Sequence, residues 1–506
     1  MTHSDPTQMS ARQIMAAFAS GSLTPSAFLE ACLDRISALN PALNALTAFN
    51  TERAVVEAAQ ATRRWQNGAP RGMLDGLPIG VKDLQDTAGL LTTHGSPRAR
   101  GNTPKADLPM VARLRAEGAI VLAKTNVPEL GAGGNTRNPV WGATGNPFNP
   151  ALVAGGSSGG SAAALAADLL PLCTGSDTGG SLRLPAALCG IVGYRPSVDV
   201  IAHPTRPVGW SAISVLGPMA RDVDDLILML RACHGFDAGD PLSCPSSPAR
   251  FDAIPDAPLS SLRLGISEDF GGAPVDPDIR ATFRARVAAL APHLGECREV
   301  DLNLGEMDRA FDILRAESFL AGFGEAVRTA PEDFGPHIHS NVELGRTMTL
   351  ADRAWAHMEQ TRILRRFNGR MEGLDAILVP TSPVSPFPWT DAYPASIDGT
   401  EMDIYYRWLA LTYRGSMSGG PVISLPTGRD GAGLPFGLQM IGPVRGDVGL
   451  LAAARSVEAF LAGDPQTARP RPDTDALHRS TVDLRSIVTH PPLTTSADGP
   501  EIKTAV

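Results

Sequence analysis

The chain of 506 residues carries a net charge of −9 and is 43% hydrophobic and 19% charged. That describes a globular protein with a large core and excludes a disordered chain; the acidic balance argues against a nucleic-acid binder. The six cysteines are scattered, with no C-x-x-C pair and no Cys/His spacing of a zinc site, so no metal and no disulfide framework is expected. No run of 18 apolar residues is present to cross a bilayer. No basic stretch followed by an apolar one opens the sequence, so a cytoplasmic protein without membrane association is expected.

The first 70 or so residues read as a helical layer. Ser10 and Gln13 fit a capping box for a helix reaching about Gly21. Thr24-Pro25 opens a second helix that Pro41 is expected to end, and a third runs from Thr51 to about Gly68. Gly76 to Leu84 reads as a strand entering a loop, and Asp107 as the cap of a helix to Glu117. Ala119 to Ala123 is a strand ending at Lys124. Residues 131–156 are Gly/Asn-rich and form a long ordered loop.

Ser161 to Ala167 is a short helix, Leu169 to Thr174 a buried strand, and a further helix follows Ser181. After a loop reaching Gly217, a helix ends near Arg231; Leu262 to Ser267 and Glu299 to Leu302 are strands around the helix Asp278 to Ala291. Residues 303–372 are mostly helical. Leu374 to Val379, Val422 to Leu425 and Gly437 to Ile441 are strands, and Asp447 caps a last helix. Alternating helices and strands give an α/β fold. Residues 1–465 make one domain, and 466–506 a polar C-terminal arm, extended or disordered.

Two Gly/Ser clusters flank the short helix: Gly155-Gly156-Ser157-Ser158-Gly159-Gly160-Ser161 and Gly175-Ser176-Asp177-Thr178-Gly179-Gly180-Ser181-Leu182-Arg183. Glycines let the backbone approach a ligand, and successive N–H groups in such turns suit an oxyanion that exists only in a transition state. A serine nucleophile needs a base, and no histidine lies beside the clusters. Only four lysines occur, Lys82, Lys105, Lys124 and Lys503. A buried lysine can lose its proton where arginine cannot. Lys82 in its apolar strand is one candidate base, Lys124 a rival read as structural. Two overlapping G-x-S-x-G matches invite an α/β-hydrolase reading, but of the available histidines, His203, His234, His337 and His339, none sits at a recognisable strand end, which sets it aside. His337-Ile338-His339 lacks carboxylate partners and is not read as a metal site.

Gly80-Val81-Lys82-Asp83, both clusters, Gly217-Pro218-Met219-Ala220-Arg221 and Leu434-Pro435-Phe436-Gly437-Leu438-Gln439 together resemble the amidase signature family, over roughly Ser10 to Ala462. Val153-Ala154 departs from the pattern, where a proline is common. The resemblance implies a single large α/β domain, with a mixed twisted sheet covered by helices, and a Ser-cisSer-Lys triad. By motif position Ser181 is the nucleophile, Ser157 the serine with the cis peptide, and Lys82 the base. The N–H groups of Thr178, Gly179, Gly180 and Ser181 would form the oxyanion hole. Ser158 would support the triad, and Asp177 and Arg183 would brace the turn.

Four of the five tyrosines fall between Tyr393 and Tyr413. An aromatic pocket wall with Trp389 and Tyr406 is expected there, favouring an aryl or bulky apolar group, with Gly131 as a further pocket residue. The expected function is a cofactor-independent amidase acting on a small-molecule amide, with esters or carbamates sharing its acyl-enzyme route. The alternative is the glutaminase subunit of a tRNA-dependent amidotransferase, although residues 194–200 lack the Tyr-Gly stretch such subunits usually carry. Core packing or a homodimer interface is the competing use of the aromatic segment.

Overall fold

A computed structural model describes residues 5–247 and 249–493. The helical layer consists of α1 (Ala11–Ser20), α2 (Pro25–Leu43) and α3 (Thr51–Gln66), with strand β1 (Leu46–Phe49) between the last two. The Ser10/Gln13 capping box and the Thr24 cap both form. Pro41, expected to end α2, lies inside it. The helix closes instead at Asn44, whose φ is 47°. Asn40 Oδ1 accepts from the N–H groups of Ala45 and Leu46 and turns the chain into β1.

Next come β2 (Pro78–Lys82), α4 (Pro109–Ala116) and β3 (Ile120–Thr125). Asp107 does not cap α4, because its carboxylate accepts from the Ala88 N–H at 2.7 Å. The Gly/Asn-rich loop is held in place by two small ladders. β4 (Arg137–Asn138) pairs β5 (Gly142–Ala143), and β6 (Gly145–Asn146) pairs β7 (Asn149–Val153). α5 (Gly159–Ala166), β8 (Leu172–Asp177) and α6 (Arg183–Cys189) follow.

β9 (Val192–Arg195) and β10 (Val215–Ala220) flank and overlap the expected loop that reaches Gly217, where no strand is expected from the sequence. β10 contains Pro218, a residue that normally demotes a strand; it nonetheless pairs in register opposite Thr174. α7 (Val223–Cys233), β11 (Arg263–Ile266), α8 (Pro277–Leu290) and β12 (Glu296–Glu299) complete the middle of the chain. β12 starts earlier than expected because Glu296 pairs with Arg263 at the head of β11.

α9 (Met307–Thr329), α10 (Pro336–Thr347) and α11 (Leu350–Met371) fill the helical stretch before β13 (Ala376–Pro380). A hairpin of β14 (Ser396–Ile397) and β15 (Thr400–Glu401) precedes α12 (Ala410–Met417), β16 (Val422–Arg429) and β17 (Pro435–Ile441). α13 (Asp447–Ala462) and α14 (Thr474–His478) close the described chain. Asp447 does not act as a cap. Its carboxylate accepts from Tyr194 OH at 2.6 Å and the Ser197 N–H at 2.9 Å.

The main sheet has eleven strands in the order β1-β3-β2-β8-β10-β9-β16-β17-β13-β11-β12. β2 runs parallel to both β3 and β8, whereas β8 is antiparallel to β10. The sheet is therefore mixed, and the carboxyl ends of β2 and β8 lie side by side, the usual place for a site in an α/β sheet. Residues 466–493 run along the body: Leu477 and Leu484 are buried, and the Ala143 N–H donates to Leu484 O at 2.7 Å. Residues 494–506 of the expected arm lie outside the described residues.

All eight residues of α5 are buried, and all but Ser161 and Leu165 are Gly or Ala. The lack of side chains brings this helix against backbone. A Cβ on Gly160 would lie 2.2 Å from Asn126 N and 2.5 Å from Ala45 O. Neither atom can move without shifting the strand ends that hold the site. Gly160→Ala is expected to lower the unfolding free energy by about 1–3 kcal/mol, as overpacking does; urea denaturation checks it.

Candidate active site

Lys82 is the last residue of β2, and its N–H donates to Thr174 Oγ1 on β8 at 2.9 Å. The side chain is buried completely. Its Nζ donates to Ser158 Oγ at 2.7 Å, Ser157 Oγ at 2.8 Å, Ser176 Oγ at 3.0 Å and, more weakly, Ser176 O at 3.4 Å. Burial pulls the Lys82 ammonium down to about 7, against the charge of Asp177, which acts in the opposite sense. A lysine in this state is neutral in a large fraction of molecules at ordinary pH and can take a proton from a bonded hydroxyl.

Ser157 follows a cis peptide bond after Gly156. Gly131 has φ 74°, and a Cβ there would meet Leu84 Cδ1 at 2.8 Å and Ser157 Oγ at 3.5 Å. The glycine thus lets the loop close over the serine. The two clusters are tied directly, with the Ser158 N–H donating to Ser181 O at 3.2 Å. Ser161 turns away from the site, donating to Thr174 O and sharing a 2.6 Å bond with Thr125 Oγ1.

Ser181 ends the turn after β8, just before α6, and its side chain faces a cavity of about 160 Å³. Among the described residues its hydroxyl has no hydrogen-bond partner, so the link from Ser157 to Ser181 is not closed in this structure. Links of this kind are often long without substrate. The turn itself is held by Asp177. Its carboxylate accepts from the N–H groups of Gly180 at 2.9 Å and Leu182 at 3.2 Å and binds Arg183 Nε and Nη2, both at 2.9 Å. The sequence places Gly180 among the oxyanion donors, but its N–H is engaged by Asp177, which leaves Thr178, Gly179 and Ser181 as the candidates.

Asp177 and Arg183 are both fully buried, which rules out an ordinary surface pair. Burial alone would raise the Asp177 carboxyl. The charges and hydrogen bonds of Arg183 and Arg195 and the Leu182 N–H overrule it and hold the group well below the usual carboxylate range. Arg183 also reaches Thr412 O at 2.7 Å, Ser416 Oγ at 2.8 Å and Gln439 Oε1 at 3.1 Å, binding the turn to α12 and β17. This explains why a glutamine far along the chain belongs with the glycine turn.

Lys124 is also buried, but its Nζ donates to Gln85 O and Thr87 Oγ1, and it lines no part of the cavity. His203 does line the cavity. Burial and the charge of Arg206 push it down to about 4, so it is neutral; its backbone N–H, not its ring, donates to Asp240. His337 stacks on Tyr405 at 3.9 Å and faces a different cavity.

The aromatic expectation is corrected by the structure. Trp389 and Tyr406 are buried and line neither this cavity nor the larger one of about 370 Å³ that continues outward from it. A buried phenol needs a partner for its hydroxyl, and Tyr406 finds one in Asp312 Oδ1 at 2.9 Å, with its ring edge-on to Phe311. These aromatic rings join α9 to the segment before α12. Sequence reasoning missed Ser176, Leu84, Leu130, Arg315 and Phe319, which do line the inner cavity. Ser176 could have been found, since it lies on the strand that register places beside Lys82.

The family model for Amidase matches residues 27–451. The chain belongs to the amidase signature family. Members of this family are hydrolases that cleave amides, and the mixed sheet described above is the family's fold. The chain is 34% identical to a glutamyl-tRNA(Gln) amidotransferase subunit from Salinispora arenicola, over 90% of this chain and 98% of that one. It is 32% identical to an acylamidase from Rhodococcus erythropolis, over 91% of this chain and 97% of that one. The crystal structure of a bacterial aryl acylamidase of the same family superposes with a TM-score of 0.84 at 28% identity, covering 90% of this chain and 96% of that chain.

Arg183→Met would leave Asp177 buried with its main counter-charge removed. It is expected to cost about 3–5 kcal/mol of stability, visible as a lower denaturation midpoint, with more loss than Ser158→Ala produces.

Proposed function

We propose that this protein hydrolyses a small carboxylic amide to an acid and ammonia or an amine through an acyl-enzyme on Ser181. The observation that carries the reading is the Lys82 ammonium buried among serine hydroxyls, 2.8 Å from Ser157 Oγ. Neutral Lys82 takes the Ser157 proton as Ser157 takes that of Ser181. The Ser181 oxygen attacks the carbonyl, and the N–H groups of Thr178, Gly179 and Ser181 receive the negative oxygen. The proton then returns through Ser157 to the departing nitrogen, which leaves as the tetrahedral intermediate collapses. Water, activated by the same pair, cleaves the ester. Ser158 and Ser176 hold Lys82 in place, and the Asp177–Arg183 pair fixes the donor turn. Esters can enter by the same route.

The inner cavity is smaller than the roughly 300–1,000 Å³ of ordinary ligand pockets, which suits a reacting carbonyl and a few attached atoms. The remainder of a substrate extends into the outer cavity between Leu84, Leu130, Phe319 and Phe323. A second reading is a glutaminase subunit of a tRNA-dependent amidotransferase, supported by the similarity to the Salinispora arenicola protein over nearly its whole length. Glutamine turnover that appears only with partner subunits would favour it over the stand-alone amidase.

Ser181→Ala is expected to abolish hydrolysis of the best amide in a panel of aliphatic amides, anilides, esters and glutamine; full activity in that variant would exclude the mechanism. Because only neutral Lys82 can accept the proton, kcat/KM is expected to fall about tenfold per pH unit below the Lys82 midpoint. It should level off above that midpoint, near pH 7. His203→Ala should leave this pH profile unmoved.

A further inference from the structure

Arg315 lies on α9 and lines both the inner and the outer cavity. Only 7% of its surface is exposed. Its Nε donates to Asn341 Oδ1 at 3.1 Å and its Nη2 to Tyr405 OH at 2.6 Å, and both partners are neutral. Among the described residues no carboxylate lies within ion-pair distance of Arg315, and its third nitrogen, Nη1, makes no bond to the protein. The guanidinium packs over Phe319 at 4.7 Å and Tyr406 at 4.9 Å, which fixes its plane.

Burying a charge without a counter-ion is costly unless something supplies the opposite charge. The other charged groups here are already engaged. Arg206 forms a two-pronged pair with Asp240 at 2.9 Å, and Asp86, in the outer cavity, faces His94 at 3.4 Å. Lys82 is neutral when it acts as a base. The cavity that holds Ser181 therefore offers one fixed positive charge without a carboxylate partner, set among serine and threonine hydroxyls and a few leucines. A guanidinium in a set plane is the group that best recognises a carboxylate.

We propose that Arg315 is a specificity-determining residue and that the preferred substrate is an amide carrying a carboxylate, such as the monoamide of a dicarboxylic acid. This rests on the amide-hydrolase reading of the same cavity. Arg315 plays no part in the bond-breaking steps; it orients the substrate through its distal anion while the amide carbonyl lies at Ser181.

The test is calorimetric binding to the full-length Ser181→Ala protein. The ligands are the monoamides of succinic, glutaric and adipic acid, each compared with its uncharged diamide. At least one monoamide is expected to bind about tenfold or more tightly than its diamide, the effect of one charge-assisted contact. Adding Arg315→Gln should erase that advantage without weakening the diamide, and Arg315→Lys should keep part of it. Equal binding of every pair, or equal weakening of both partners by Arg315→Gln, would overturn the proposal. The same compounds are followed with the wild-type enzyme. A carboxylate preference in binding without any hydrolysis refutes the hydrolase reading and leaves the anion site standing; hydrolysis with no preference for the monoamide does the reverse.

Discussion

The removal of one ammonium group from water governs this structure. Lys82 is fully buried and surrounded by hydroxyls, with no carboxylate among its hydrogen-bond partners. Desolvation favours its neutral form. The nearest strong opposing influence is Asp177, whose charge favours the protonated form. That carboxylate is held by Arg183 at 2.9 Å and by Arg195 at 3.4 Å. The two arginines therefore do more than stabilise a turn. They neutralise the one anion that would keep the lysine charged, and so the ion pair and the neutral amine belong to a single electrostatic arrangement.

Backbone packing delivers the components of that arrangement to one place. Parallel pairing of β2 with β8 sets Lys82 beside Ser176, and the antiparallel β10 closes the other edge of β8. The Gly/Ala helix α5 brings Ser157 and Ser158 up from beneath, at a distance that side chains larger than alanine would not allow. Gly180, with φ 128°, lets the turn press on Thr412, whose Oγ1 donates to Gly179 O at 2.7 Å. Each glycine that matters here is one where a Cβ would meet backbone or a fixed side chain.

Much of this was legible in the sequence. The two Gly/Ser clusters, the lysine in an apolar strand and the scarcity of lysines pointed to residues that the fold brings together, and the helix caps at Ser10 and Thr24 read correctly because capping is local. What the sequence hid was non-local. β10 reads as loop up to Gly217 and as the lead into a helix from Pro218 on, and only its pairing with β8 makes it a strand. Gly180 looked like a free donor because nothing in the sequence says that the Asp177 carboxylate folds back onto its N–H. The aromatic run from Tyr393 to Tyr413 read as pocket wall, but its hydroxyls and rings are turned to Asp312, Arg315 and Phe311. The cavity is lined instead by residues from distant segments, Leu84, Leu130, Ser214, Arg315 and Phe319, that no spacing rule connects.

The central claim is that burial, with the opposing Asp177 charge held by Arg183 and Arg195, keeps Lys82 neutral enough to act as a base. With only four lysines in the chain, 13Cε-lysine labelling gives a spectrum simple enough to follow each one, and Lys82→Arg assigns the resonance. The account predicts a Lys82 titration with its midpoint near pH 7, well below that of an exposed lysine such as Lys105. A Lys82 signal that stays protonated to the ordinary lysine value of about 10.4 would contradict it.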